Sequence, residues 1–225
     1  MNVIGLVGSV AAGKSTVAEF LSSLGACWLN ADEIAKSCLN DADVIDRLVE
    51  RWGPEILSSE GVIDRASVAH RVFGSDEASK SELRFLESLT HPPTRQTILK
   101  KISEAARKRR ECVLLDIPLL FESGWDLACD WIICVDADVE IRRERARKRG
   151  WDGGELDRRE SNQLAIEKKI RLSQVVMRNE TTLQALHENL RRQWPKLCRI
   201  EKRPESVAAS PSKHCLSDWE ASQGS

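Results

Sequence analysis

The sequence predicts an α/β fold in which a doubly wound parallel sheet is covered by helices on both faces. Three observations predict it. Short β-branched apolar runs recur along the chain, amphipathic segments separate them, and two of the runs are apolar almost throughout. Near-continuous apolar runs are typical of parallel strands that are buried on both faces. Sheets of this kind bind their ligands at the carboxyl ends of the strands.

The first predicted strand runs from Val3 to Val7, and a loop with two glycines connects it to an amphipathic helix from Lys14 to Leu24. Gly25 is placed to end that helix. The remaining strand candidates, in chain order, are residues 26–29, 112–116, 130–136 and 175–177. The candidates at 112–116 and 130–136 both end in aspartate, which places carboxylates at the ligand-binding edge of the sheet.

Between the second and third strands, the pattern changes to charged, amphipathic helices, which predict an inserted helical domain at residues 41–109. Breaks are predicted at glycines and prolines, and Leu89 to Pro92 is expected to open a long helix. The arginine-rich stretch at residues 142–171 predicts a helical lid. Residues 201–225 are rich in Ser, Pro, Ala and Glu without periodicity, and predict a disordered tail.

Composition limits the function classes. The chain has 225 residues, of which 31% are charged and 41% hydrophobic, and its net charge is -1. Without a basic surplus, we expect no nucleic-acid partner and no binding to anionic membranes. The apolar run at the N-terminus is too short for a signal peptide or a membrane span, so a cytoplasmic location is predicted. Seven cysteines without a C-x-x-C pair favour reduced thiols over zinc ligands.

A phosphate-binding loop lies between the first strand and the first helix. Residues Gly8 to Ser15 fit the pattern G-x-x-x-x-G-K-[ST]. Successive backbone N–H groups and the helix N-terminus form a concave anion site, Lys14 supplies charge near the β- and γ-phosphates, and the Ser15 hydroxyl can ligate magnesium. The alternative is a glycine-rich turn that merely opens a helix. The motif predicts a P-loop NTPase-type sheet that uses ATP and Mg²⁺ for phosphoryl transfer.

The class of P-loop protein follows from the other motifs. A GTPase needs a D-x-x-G switch after the third strand and an N-K-x-D motif, but the third strand continues as Asp116-Ile117-Pro118-Leu119 and no N-K-x-D occurs. A small kinase with an insert and a lid fits better. The motifs that sharpen this are L-N-A-D-E-I-A at 29–35, L-T-H-P at 89–92, L-D-I-P-L-L-F-E at 115–122, Val135-Asp136, Arg142, Arg145, Arg149, Gln163, Lys169 and Asn179.

In this order the motifs resemble those of the dephospho-coenzyme A kinases, over about residues 2–195. The resemblance implies that ATP phosphorylates the ribose 3′-hydroxyl of dephospho-coenzyme A, giving coenzyme A and ADP in the last step of coenzyme A biosynthesis. It also implies one kinase domain at 1–200, with a nucleotide core at 1–40, 110–141 and 172–200, a coenzyme A-binding insert at 41–109 and a lid at 142–171. The alternatives are a nucleoside or nucleotide kinase and a non-catalytic nucleotide-binding module.

Two acidic residues stand at strand ends. By the resemblance, Asp32 is the base that orients or deprotonates the acceptor hydroxyl; its alternative is an acid that complements a helix dipole. Relatives often carry a further aspartate where this chain has Asn30. Asp116 is a candidate magnesium ligand or, alternatively, a turn residue.

The remaining site residues follow from the same resemblance. Lys14 and Arg145 are expected to act with Asp32 in catalysis, whereas Arg142 is a weaker candidate because relatives commonly have glutamine there. A solvated basic face is the alternative for these arginines. Expected nucleotide contacts are Gly8, Ala11, Ala12, Gly13, Lys14, Ser15, Thr16, Arg149 and Asn179; expected acceptor contacts are Asp32, Arg65, His91, Pro118, Leu119 and Glu122; expected metal ligands are Ser15 and Asp116.

The loop departs from its relatives in two places, since they usually have glycine where this chain has Ser9 and Ala11. The backbone at both positions is therefore expected to adopt conformations that are open to residues with a Cβ. The implied partners are the two small-molecule substrates, and a monomer or weak homo-oligomer is expected.

Overall fold

The computed structural model describes residues 1–74 and 76–198, so the predicted tail at 201–225 lies outside the described residues. The strands are β1 (Asn2–Gly8), β2 (Cys27–Asn30), β3 (Cys112–Asp116), β4 (Trp131–Asp136) and β5 (Val175–Arg178). The helices are α1 (Lys14–Ser23), α2 (Ala31–Cys38), α3 (Ala42–Trp52), α4 (Arg65–Val72), α5 (Glu77–Arg107), α6 (Val139–Lys148), α7 (Glu155–Ser161), α8 (Ile166–Leu172) and α9 (Leu183–Cys198). Short 3₁₀ turns occupy Pro54–Ile56 and Trp125–Ala128.

The strands form one parallel sheet in the order β2-β3-β1-β4-β5, which confirms the predicted fold class. Strands β3 and β4 are buried at every residue, as their continuous apolar pattern predicts. In the pairing register, Leu6 and Asn30 both lie opposite Asp116, and Gly8 lies opposite Val135. The carboxyl ends of the four strands β1 to β4 therefore meet at one edge of the sheet.

Hydrophobic side chains fill both faces of the sheet. One face packs against α1 and α9 through residues such as Leu21 and Leu190, and the other packs against α2, α5 and α8 through residues such as Ile34 and Ile98. A third cluster, which we call the insert cluster, is drawn from residues 44–89 and belongs to α3, α4 and the first half of α5. Among the described residues, no helix combines the length and apolar content that crossing a bilayer requires.

Helix α5 corrects one prediction. A break at His91-Pro92-Pro93 is wrong, because α5 runs from Glu77 to Arg107 with both prolines inside it. The Asp76 side chain caps its first turn by accepting a hydrogen bond from the Ser79 N–H at 2.8 Å. A proline inside a helix costs about 3 kcal/mol. Packing of α5 on both sides of the prolines, in the insert cluster and at Ile98 under the sheet, outweighs that cost.

Candidate active site

The phosphate loop connects β1 to α1, and both of its glycines are fixed by close neighbours. A Cβ on Gly8 would overlap the Val135 carbonyl oxygen of the adjacent strand. Gly13 is the N-cap of α1 at φ 98°, a left-handed value, and a Cβ there would overlap the Asn179 side-chain amide. Gly8 is therefore required for space, and Gly13 for both space and backbone conformation.

Ser9 ties the loop to β4. Its N–H donates to the Val135 carbonyl at 3.1 Å, and its hydroxyl donates to the buried carboxylate of Asp136. Arg178 in β5 donates to the other oxygen of Asp136 at 2.6 Å. The sequence signal for this contact is the aspartate that ends β4, which predicts a carboxylate at this edge of the sheet but does not reveal its partners.

Ala11 differs from the sequence-based expectation. Its φ is 62°, which lies in the left-handed region that residues with a Cβ adopt only at a cost, whereas Ser9 has no positive φ. The expectation is therefore met at Ser9 and wrong at Ala11. Ala11 is buried in this conformation.

We expect Ala11→Gly to raise the free energy of unfolding by up to about 1 kcal/mol, because glycine removes the left-handed penalty. Urea titration of the apoprotein measures the change. Ala12→Gly is the matched control: Ala12 is fully buried without a positive φ, so the same change there is expected to lower stability by about 1 kcal/mol. Equal losses in both variants would contradict the assigned backbone cost at Ala11.

Lys14, Asp32 and Asp116 come together beside the loop. Lys14 Nζ lies 3.2 Å from Asp116 Oδ1, and the Lys14 side chain is about one quarter exposed. Asp32 occupies the first turn of α2 and is open to the cleft. The Asn30 side chain accepts from the Glu33 N–H at 3.2 Å and caps α2. This cap accounts for Asn30, so the turn presents Asp32 without a second aspartate at that position, and Glu33 beside it pairs with Lys36.

Desolvation by the surrounding protein raises the pKa of Asp32 above its ordinary value. The positive charge of Lys14 lowers that pKa, and the negative charge of Asp116 raises it. Asp32 is thus a somewhat better proton acceptor than an ordinary surface aspartate, and it lies within electrostatic reach of the lysine that is expected to contact the phosphates.

The side chains at this edge fit a magnesium ion. Mg²⁺ prefers oxygen ligands and usually keeps several waters, with one or two carboxylates and substrate phosphates completing its shell. Asp116 offers a carboxylate, and the exposed Ser15 hydroxyl has no hydrogen-bond partner among the described residues. The described part of the chain contains no group of three or more His, Cys, Asp or Glu side chains that could hold a metal.

Arg145 and Asn179 meet at one carbonyl of the loop. Arg145 donates from Nη1 to the Ala12 carbonyl at 3.0 Å and from Nη2 to the Asn179 carbonyl at 2.9 Å. The Asn179 side-chain amide donates to the same Ala12 carbonyl at 2.8 Å. Arg149, by contrast, is exposed and lies 5.6 Å from the centre of the Trp151 ring. Its expected nucleotide contact stays a prediction.

The residues expected to contact the acceptor are more scattered. Arg65 begins α4 and is exposed, and its positive charge is close enough to lower the pKa of Glu33 in α2. His91 is exposed in the middle of α5. Leu119 is 41% exposed whereas Leu120 is fully buried, so Leu119 is available to a ligand and Leu120 belongs to the core. Pro118 is half-buried beside them.

Glu122 contacts the predicted lid. Its Oε1 accepts from the Leu164 N–H, in the turn between α7 and α8, at 2.6 Å. Two further cations, Arg142 and Lys169, are buried beside the loop. Arg142 is the weaker candidate by sequence because relatives commonly have glutamine there, and nothing in the spacing of arginines on α6 reveals which one is buried.

The comparisons with known proteins agree with this geometry. The dephospho-CoA kinase family model matches residues 2–185. A dephospho-CoA kinase of Rhodopirellula baltica is 42% identical over 190 residues, which cover 84% of this chain and 86% of that protein. One of Symbiobacterium thermophilum is 33% identical over 217 residues, which cover 95% of this chain and 88% of that protein.

A solved structure shares the fold. TT1252 from Thermus thermophilus superimposes with a TM-score of 0.70 and 32% identity, over 87% of this chain and 97% of that one. The sequence relatives, the matched fold and the phosphate loop with its acidic neighbours all lead to the same assignment. The chain belongs to the dephospho-CoA kinase family.

Proposed function

We propose that the protein transfers the γ-phosphoryl group of ATP to the ribose 3′-hydroxyl of dephospho-coenzyme A, giving coenzyme A and ADP. The observation that carries this proposal is the open carboxylate of Asp32 beside Lys14 at the phosphate loop, in a chain of the dephospho-CoA kinase family. That arrangement supplies a proton acceptor next to the place where the transferred group would lie.

In the proposed reaction the acceptor oxygen forms a bond to the γ-phosphorus while the bond from that phosphorus to the β,γ-bridging oxygen breaks. The hydroxyl proton passes to the Asp32 carboxylate, and ADP leaves with the electron pair of the broken bond. Lys14 would stabilise the negative charge on the phosphates, and Arg145 would act from the rim of the loop. Ser15 and Asp116 would hold Mg²⁺, which supplies charge neutralisation on the phosphates when bound.

The acceptor would lie between the loop and the insert, against Arg65, His91, Pro118 and Leu119. The exposure of Arg65 and Leu119 supports this, because both are available to a ligand. Glu122 would act on the acceptor through the lid turn that it holds. The insert at 41–109 and the lid at 142–171 are part of the same proposal, as is a cytoplasmic location.

A coupled ADP-release assay tests the acceptor. Dephospho-coenzyme A is expected to support turnover, whereas adenosine, AMP and CMP are not, since they lack the pantetheine arm that the insert would bind. Phosphorus NMR of the product is expected to place the new phosphate on the 3′-oxygen. Turnover with AMP or CMP alone would reject the proposal and indicate a nucleotide kinase.

A further inference from the structure

Carbonyl groups of the phosphate loop accept hydrogen bonds from three cations at every second residue. Lys169 Nζ lies 3.3 Å from the Gly8 oxygen, Arg142 Nη1 lies 3.5 Å from the Val10 oxygen, and Arg145 Nη1 lies 3.0 Å from the Ala12 oxygen. The loop is thus held from outside by α6 and α8, which contribute all three side chains.

These contacts determine where the loop amides point. A peptide unit is planar, so a donor that fixes one carbonyl also fixes the N–H of the next residue. The Lys169 contact fixes the Ser9 N–H, which already donates to Val135. The contact of Arg142 fixes the N–H of Ala11, which has no acceptor among the described residues. A phosphate oxygen is the natural acceptor for a loop amide of this kind.

Arg142 and Lys169 are too buried to contact substrate themselves. Their side chains are embedded in protein, with 7% and 3% of each residue exposed. A buried cation is stable only where hydrogen bonds and opposite charge compensate it. Arg142 also donates from Nε to the Ala137 carbonyl at 3.0 Å and pairs with Glu160. Lys169 also donates to Gln163 Oε1 at 2.7 Å, with Glu122 and Glu160 adding nearby negative charge.

The side chains that pair with the two buried cations, Glu160 and Gln163, come from one short segment. Glu160 lies near the end of α7, and Gln163 follows it with an N–H that donates to the Glu160 carbonyl at 3.0 Å. The next residue, Leu164, is the one that Glu122 holds. A single turn, residues 160–164, therefore connects the predicted lid to the phosphate loop through two buried cations and to the segment after β3 through Glu122.

We propose that Arg142 and Lys169 are positioning residues for the bound nucleotide. Arg142 holds the Val10 carbonyl so that the Ala11 N–H faces the phosphates of ATP, and Lys169 holds the Gly8 carbonyl, which keeps the Ser9 N–H on Val135 and so anchors the start of the loop. Both side chains carry the position of the 160–164 turn to the loop. The inference rests on the proposed use of ATP and deepens it. It concerns nucleotide affinity and is independent of the acceptor's identity.

The main test measures ATP binding to the full chain by calorimetry, without acceptor, together with the kcat and KM of turnover. Lys169→Met and Arg142→Met are each expected to weaken ATP binding and raise the KM for ATP by about tenfold, with the acceptor KM unchanged. Lys168→Met and Arg143→Met are matched controls on the exposed sides of the same helices and are expected to bind ATP normally.

A second pair of variants decides the question if the buried substitutions do not fold. Gln163 is only half-buried, so it tolerates substitution. Gln163→Met removes the acceptor of Lys169 and is expected to weaken ATP binding several-fold, whereas Gln163→Glu keeps an acceptor oxygen and is expected to bind like the native chain. A purely structural role would lower the melting temperature in both variants without this difference in affinity.

Folded Lys169→Met and Arg142→Met proteins with native ATP affinity would overturn the inference, as would equal affinities of the two Gln163 variants. Failure of the proposed function gives another pattern: the binding differences persist while dephospho-coenzyme A gives no ADP release. The two outcomes are therefore separable in one set of experiments.

Discussion

Asp32→Asn is expected to reduce kcat by about 10²- to 10⁴-fold, which is the usual contribution of a general base. ATP affinity is expected to change little, because Asp32 is exposed and has no hydrogen bond to the loop among the described residues. Steady-state kinetics with dephospho-coenzyme A and calorimetry with ATP measure the two effects. Glu33→Gln is the matched control: Glu33 is the next residue, is exposed, and forms an ion pair with Lys36. Native turnover in Asp32→Asn would remove Asp32 from the mechanism.

The raised pKa of Asp32 gives this prediction a pH dependence. The acidic limb of kcat/KM is expected above the ordinary aspartate value of 3.8, because the base must be ionised. The free energy of unfolding depends on pH in the opposite direction to the activity. A carboxyl group whose pKa is raised by folding stabilises the protein in acid, and this contribution is lost as the pH rises through the folded pKa. Asp32→Asn is therefore expected to increase stability at neutral pH, an advantage that disappears in acid, while activity is lost.

Lys14→Met is expected to impair binding and turnover together. Removal of one group that stabilises transition-state charge typically lowers kcat by about 10²- to 10³-fold, and a loss of this size is expected here. ATP binding is expected to weaken at least about tenfold, because the lysine charge also acts on the phosphates of the bound nucleotide. Methionine keeps the length of the side chain but leaves Asp116 without its partner at 3.2 Å. The same assays, with ATP as the varied substrate, measure both losses.

A pH profile of the same variant adds an internal check. Lys14 lowers the pKa of Asp32, so its removal is expected to move the acidic limb of kcat/KM to higher pH. Lys36→Met is the control, since Lys36 also lowers that pKa but pairs with Glu33 on the exposed side of α2. It is expected to shift the limb without weakening ATP binding. Equal ATP affinity in the two lysine variants would contradict the phosphate contact of Lys14.

The sheet and the acidic edge were predictable because local patterns specify them. Apolar runs that end in Asp116 and Asp136 predicted two buried parallel strands, and both are present. Since parallel strands share one carboxyl edge, the approach of Lys14, Asp32 and Asp116 followed from the order of motifs alone. Their roles in catalysis stay predictions.

Features that depend on contacts distant in sequence were not predictable. The Gly8 carbonyl meets Lys169 across 161 residues, and the inward turn of Arg142 depends on how α6 packs against the loop. At Pro92, a local rule predicted a break that tertiary packing overrode. At Ala11, the residue type favoured an ordinary backbone conformation, but the geometry of the loop imposed a left-handed one.

The unbroken path of α5 has a mechanical consequence. Its 31 residues span about 46 Å along the helix, because an α-helix rises 1.5 Å per residue. One end is seated under the sheet at Ile98 and Ala105, and the other carries the insert cluster. Because one helix joins the two ends, a small tilt at the seated end would become a larger displacement at the far end. If the acceptor lies against the insert, as proposed, the width of its site would be set in part by core residues that contact neither substrate.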